Sequence, residues 1–169
     1  GARADADLAA LSEKFMLTIT EVPEYFLGMN VCQHSRTKVT LDMRAYVLKL
    51  VAKYLPTTSA GATAVRAPAD CGLHQAYETA LRRDAVPPDT LKATYMSAVG
   101  GLIYAIACRA DVSHAVGMLA RALTFPTDLM LECAYRVVRY LHTYPDVGLT
   151  FDGSKGEGLV AYSDSDWST

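Results

Sequence analysis

The chain has 169 residues, 51% hydrophobic and 20% charged, enough to bury one domain, or one and a piece of another, and neither a disordered chain nor a repetitive fibre. Its 16 basic and 18 acidic residues leave a net charge of −2, which weakly opposes a dominant nucleic-acid role, because such binding draws on a basic excess. The longest apolar run, Ala98 to Cys108, spans 11 residues, short of the roughly 20 that cross a bilayer, and no secretory signal opens the chain.

Leu8, Leu11 and Phe15 recur at helical spacing and predict a helix over 4–15, broken by Val22-Pro23-Glu24. Residues Tyr25 to Val31 read as a strand, His34-Ser35-Arg36 as a turn and Lys38 to Leu41 as a second strand, together a hairpin. Asp42 can cap the next helix, in which Met43, Tyr46, Val47, Leu50 and Tyr54 share a face and which Pro56 ends. From Pro56 to Pro88 the composition turns to Thr, Ser, Ala, Gly and Pro. This stretch reads as a loosely structured crossing, a linker with room for a short helix near Leu73–Arg82.

Three helices are predicted beyond it. Thr90 or Thr94 caps the first, which runs to about Cys108 with Val99, Leu102, Ile103 and Ile106 inward. Asp111 caps the second, with Val112, Val116, Leu119 and Leu123 on one face and Phe125-Pro126 as its stop. Asp128 starts the third, with Leu131, Tyr135, Val138 and Leu141 inward, and Pro145 closes it. Gly148 to Phe151 and Leu159 to Tyr162 then form a hairpin across the Gly/Ser turn at 152–158. The class is α+β: an N-terminal hairpin and helix, a three-helix packing unit and a C-terminal β-hairpin.

Four cysteines, Cys32, Cys71, Cys108 and Cys133, form no Cys-x-x-Cys pair and read as buried free thiols of an intracellular, reducing compartment. Cys32 with His34, and Cys71 with His74, look like metal-ligand pairs, but neither has a partner at zinc-site spacing. The sharpest chemical signal is Asp164-Ser165-Asp166-Trp167. The apolar run Gly158 to Tyr162 before it reads as a strand, and alternate strand residues share a face, so Asp164 and Asp166 can project together as metal-binding carboxylates. Two carboxylates alone hold Mg2+ weakly, and a solvated turn after a strand accounts for them slightly better. The chain starts at Gly1 rather than Met and ends three residues after Asp166, so the expectation is of an excerpt or processed product with the remaining ligands missing.

Other residues admit two roles. Arg109 and Asp111 can form a local ion pair, although capping by Asp111 is the favoured reading. Arg136 and Arg139, three apart on one helix face, either meet a nucleic-acid backbone or belong to a solvated face. Gly100-Gly101 has no phosphate-loop context and reads as close helix packing. Tyr135, Tyr140, Tyr144 and Trp167 read as core rather than base-stacking platforms.

The order of these motifs resembles the reverse transcriptase and ribonuclease H region of copia-type retrotransposon polyproteins. Tyr25-Phe26-Leu27-Gly28-Met29 is similar to that family's "yFLGi". Val39-Thr40-Leu41 with Tyr46 is similar to its "i-x-L-x-Q-x-x-Y". Tyr95 with Val99 to Ala105, and Arg109-Ala110-Asp111, resemble "YR-x-x-vGsL-x-Yla" and "tRPDi". Ala134 to Leu141 with Gly148-Leu149 resembles "a-x-RilrYL…Gl", and Tyr162 to Trp167 resembles "ysDaDw". The likeness runs from about Leu11 to Trp167.

It implies a palm-end and thumb-like segment at 1–56, a linker at 57–89, a helical connection-like unit at 90–145 and the first strands of a ribonuclease H-like sheet at 146–169. It further implies Asp164, with Asp166 a second candidate, as part of a catalytic Mg2+ site, and an RNA–DNA or DNA duplex as partner beside other protein subunits. The polymerase aspartates have no counterpart here. The family's Gln falls on Met43, its Arg on Met96, its Pro on Ala110, its His on Met130 and a Gly on Glu21. The expectation is a fragment that does no catalysis alone, or a derived structural or interaction subunit with no nucleic-acid role.

Overall fold

The computed structural model describes residues 2–18, 23–55, 64–83, 85–154 and 156. In chain order these form α1 (Ala2–Ser12), β1 (Tyr25–Phe26), β2 (Met29–Gln33), β3 (Lys38–Asp42), α2 (Arg44–Tyr54), α3 (Cys71–Leu81), α4 (Asp89–Ala105), a 3-10 turn (Ala110–Val112), α5 (Ser113–Ala120), α6 (Asp128–Thr143) and β4 (Leu149–Asp152). The class is α+β, as the pattern predicts. The four strands make one antiparallel sheet in the order β1-β2-β3-β4.

Helix α6 is the hub. It packs against α2, α3, α4 and α5, and presents Met130, Ala134, Val137, Val138 and Leu141 to the core. These recur every three or four residues, so one stripe is fully apolar while Glu132, Arg136 and Arg139 fall beside it. Thr127 begins the helix by accepting the backbone N–H of Met130 at 3.2 Å, and Asp128 occupies its first turn, where a negative charge meets the positive end of the helix.

The fold departs from the sequence pattern at several elements. Tyr25 to Val31 is not one strand but a tight hairpin: Phe26 pairs with Met29 across a turn of Leu27 (φ 47) and Gly28 (φ 78). A two-residue turn with both φ positive matches the strand twist; Gly28 adopts it freely and Leu27 at some cost. The Tyr104 hydroxyl donates to the Leu27 carbonyl at 2.5 Å and pins this turn to α4. Helix α1 forms but ends at Ser12, short of Phe15, and Leu8, Leu11 and Phe15 stay 38%, 47% and 61% exposed.

The stretch read as a linker supplies helix α3. Asp70 caps it by accepting the Gly72 N–H at 2.9 Å, and Leu73, Ala76 and Ala80 join the common core. Neither Thr90 nor Thr94 caps α4. The helix starts after Pro88, and the Thr94 hydroxyl donates back to the Thr90 carbonyl. Val99 and Leu102 are buried as expected, but Ile103 is 46% exposed, and Tyr95 and Ala98 take inward places instead. The cap position of α2 is Met43 rather than Asp42, but the Asp42 carboxylate, one residue earlier, accepts the Arg44 N–H at 2.9 Å and the Asn30 side-chain amide at 2.8 Å.

Strand β4 does not begin a separate sheet. It pairs with β3, Leu41 opposite Leu149 and Lys38 opposite Asp152. Its expected partner, 159–162, lies outside the described residues. The approach is close at Gly148, where an added Cβ would lie 2.1 Å from the Leu41 carbonyl oxygen. Arg44 at the head of α2 forms an ion pair with Asp146, holding the same crossing from the other side.

This contact sets a paired test. Gly148→Ala is expected to lower unfolding free energy by about 2–4 kcal/mol in urea melts, since backbone must move to admit the methyl group. Gly117→Ala, in open space at an exposed position of α5, should instead gain about 0.5–1 kcal/mol.

Candidate functional site

Three of the residues that carry the motif resemblance, Arg109, Asp111 and Tyr140, meet around the Arg109 side chain, which is wholly buried. The residue sits between the end of α4 and the 3-10 turn, with its own N–H bonded to the Ala105 carbonyl. Its guanidinium donates from Nε to Asp111 Oδ1 at 3.0 Å and from Nη2 to Asp111 Oδ2 at 2.8 Å, a two-pronged grip on one carboxylate. The remaining nitrogen, Nη1, donates to the Tyr144 carbonyl at 2.7 Å. Tyr144 is the residue that ends α6, so a cation caps the negative end of the hub helix.

Tyr140 completes the arrangement. Its hydroxyl donates to Asp111 Oδ2 at 2.9 Å, its ring lies under the guanidinium with 5.7 Å from Arg109 Cζ to the ring centre, and Tyr144 packs against it at 5.2 Å. Burial acts to raise the Asp111 carboxyl, but the bonds from Arg109 and Tyr140 outweigh it and hold the group below its ordinary value. Burial, and then the bond to Asp111, push the Tyr140 phenol up. The ion-pair reading of Arg109 and Asp111 therefore holds and the capping reading does not. Helix α5 begins after Val112 with no side-chain cap, because the Asp111 carboxylate is fully engaged elsewhere.

A second strut is Tyr95, buried in α4, whose hydroxyl donates to the Leu119 carbonyl at 2.7 Å in the last turn of α5; burial pushes its phenol up strongly. Of the glycine pair, Gly101 faces α2, with Leu50 Cδ2 2.8 Å from where a Cβ would stand, while Gly100 meets open space. Close helix packing thus accounts for Gly101 alone.

Asp164, Asp166 and Trp167 lie outside the described residues. Among the described residues no group of three or more His, Cys, Asp and Glu side chains is placed to hold a metal ion. Arg136 and Arg139 are both held by carboxylates: Arg136 Nη1 is 3.0 Å from Asp70 Oδ2, and Arg139 Nη2 donates to Glu132 Oε1 at 2.5 Å. Arg136 ties the hub helix to the cap of α3, and its Nε is buried with no partner. Tyr135 and Tyr140 are half-buried and Tyr144 is 38% exposed, so the expectation of a core role holds only in part. An open groove of ≈ 560 Å³, lined by Thr79, Arg82, Arg83, Thr127, Asp128 and Leu129, escaped the sequence reading because its walls come from α3 and the start of α6. No helix among the described residues is long and apolar enough to cross a membrane.

Comparison with known proteins gives these motifs a family. The chain is 30% identical over 158 residues to the retrovirus-related Pol polyprotein from transposon RE1 of Arabidopsis thaliana, covering 93% of this chain and 10% of that protein. It is 32% identical over 161 residues to the counterpart from transposon RE2 of the same plant, covering 95% of this chain and 10% of the polyprotein. A putative transposon Ty5-1 protein of Saccharomyces cerevisiae is 31% identical over 144 residues, covering 83% of this chain and 43% of that protein. No family model matches, and no solved structure matches. The molecule is thus of retrotransposon origin. The chain is homologous to a segment of copia-type Pol polyproteins and spans about a tenth of the length of the two Arabidopsis polyproteins it matches.

The buried cation makes a sharp prediction about stability. Asp111→Ala should cost about 3–5 kcal/mol, because Arg109 cannot reach water when its carboxylate is removed. The double variant Arg109→Met/Asp111→Ala should cost less than the sum of the single changes, read from denaturant melts as a coupling energy. Because the folded carboxyl lies below its ordinary value of 3.8, its contribution is complete above that pH and is lost as pH falls below it. The loss of stability on acidification should therefore be shallower in Asp111→Asn than in the parent.

Proposed function

We propose that this chain is the part of a copia-type Pol polyprotein that follows the polymerase centre and leads into ribonuclease H. In this reading it is a structural bridge that does no catalysis by itself. The observation that supports the reading most is the Arg109 node. The residues similar to the family's "tRPDi" and "rYL" elements tie the end of α4, the turn before α5 and the end of α6 together, and the glycine of "Gl" seats the chain before β4 against β3, which is scaffold work. The likeness to Pol polyproteins over nearly the whole chain supports the same reading.

Under this proposal the residues that follow β4 lead into a ribonuclease H-like unit, and Asp164, with Asp166 beside it, contributes to a Mg2+ site there. Bound there, Mg2+ would polarise a phosphodiester for attack by water; the carboxylates of this chain would supply negative charge to hold it. Two carboxylates fall short of that task alone. The expected result is no Mg2+-dependent cleavage of RNA in an RNA–DNA hybrid by this chain; cleavage, lost in Asp164→Asn, would overturn the non-catalytic reading.

A second reading, an interaction subunit with no nucleic-acid role, draws on one specific observation. Arg136 and Arg139, the cations best placed on the hub helix, are already neutralised by Asp70 and Glu132, on a chain of net charge −2. The two readings part in a titration of an RNA–DNA duplex at several salt concentrations. A duplex-cradling bridge binds at low salt and weakens steeply as salt rises; no binding at low salt favours the interaction subunit.

A further inference from the structure

Cys32, His34 and Thr40 lie on one face of the β2–β3 hairpin, and strand register puts them there. Cys32 pairs directly opposite Thr40, and His34 follows two residues on, so the three side chains share a side. The ladder continues past β2, with the His34 N–H bonded to the Lys38 carbonyl at 2.9 Å. His34 Nε2 is 2.9 Å from Thr40 Oγ1, and His34 Nδ1 is 4.0 Å from Cys32 Sγ. When Nε2–H donates to the Thr40 hydroxyl, Nδ1 is left as an acceptor facing the thiol. Cys32 and His34 are both exposed, so a small molecule reaches the sulfur freely.

We propose that Cys32 is a nucleophilic thiol, with His34 as its base and Thr40 orienting the ring, and that it takes covalent modification from small soluble disulfides. The thiol proton passes to His34 Nδ1 as Sγ attacks one sulfur of the disulfide. The bond between the two disulfide sulfurs breaks, and the departing thiolate takes up the proton. Cys32 is oxidised to a mixed disulfide, and the small disulfide is the oxidant, reduced by release of one thiol.

The other three cysteines serve as internal comparators. Cys108 is buried and Cys133 half-buried, and burial pushes both thiols up. Cys71 is exposed at the first residue of α3, which makes it a demanding control, but among the described residues no ring nitrogen bonds to it.

The experiment treats the whole 169-residue chain with oxidised glutathione, and separately with iodoacetamide, and follows each cysteine by peptide mass spectrometry. Cys32 should react on the order of tenfold faster than Cys71, less than the gain from a base enclosed in an active site. His34→Ala should bring Cys32 down to the rate of Cys71 without changing Cys71, and Thr40→Val should fall between. His34→Gln retains a hydrogen-bonding group against Thr40 while lacking the base, so an equal loss there assigns the effect to the imidazole rather than to hairpin structure. Equal rates for Cys32 and Cys71 in the parent, or a preference for Cys32 that survives both His34 variants, would overturn the proposal.

Discussion

A guanidinium withdrawn from water must find a partner for its donors inside the fold, and Arg109 finds them on two different elements. Asp111 answers it from the turn that starts α5, and the Tyr144 carbonyl answers it from the end of α6. Neither partner is optional, since an unanswered buried cation costs more than the pair returns. The position of α6 relative to the α4–α5 corner is therefore tied to one side chain, and with it the point at which the chain leaves α6 for β4. The hydrophobic core gives the helices a reason to associate; the polar node selects the register in which they do so.

The motifs that identify the family thus divide by task. Tyr95, Gly101, Arg109, Asp111, Tyr140 and Gly148 hold backbone against backbone or charge against charge within the chain. The acidic motif at Asp164 and Asp166 lies outside the described residues. A segment can share sequence with an enzyme because it frames the reacting groups rather than because it contributes them.

The long periodic elements were legible in the sequence for a simple reason. In α2 and α5 the apolar spacing matches one helical face, and burial rewards that face; α6 is legible as a helix, but Met130, Ala134 and Val137 take the buried places expected of Leu131 and Tyr135. Helix α3 was underweighted because its neighbours are rich in Ala, Thr and Pro, although Asp70 and the Leu73-Ala76-Ala80 spacing were visible. The hairpin inside Tyr25 to Val31 was hidden by a Leu in a positive-φ position, where turn chemistry predicts Gly or Asn. The Arg109–Asp111 pair is visible two residues apart, but what decides it over capping is not: Tyr140, which donates to Asp111, and the Tyr144 carbonyl, which accepts from Arg109, lie 29 and 35 positions downstream of their partners. Pairing of β4 with β3 was illegible for the same reason: an edge strand carries no local mark of which edge it will join.

That pairing also bears on how the molecule comes into being. The hairpin of β2 and β3 is complete by Asp42, yet the outer edge of β3 waits for Leu149 to Asp152, more than a hundred residues later. On a ribosome, the helices can collapse first while that edge stays open, its unpaired amides and carbonyls free to recruit a strand from another nascent chain. The sheet is thus the last part of the fold to close. A cleavage of the chain anywhere between α6 and Asp152 would leave a fragment with an intact helical core and an adhesive edge.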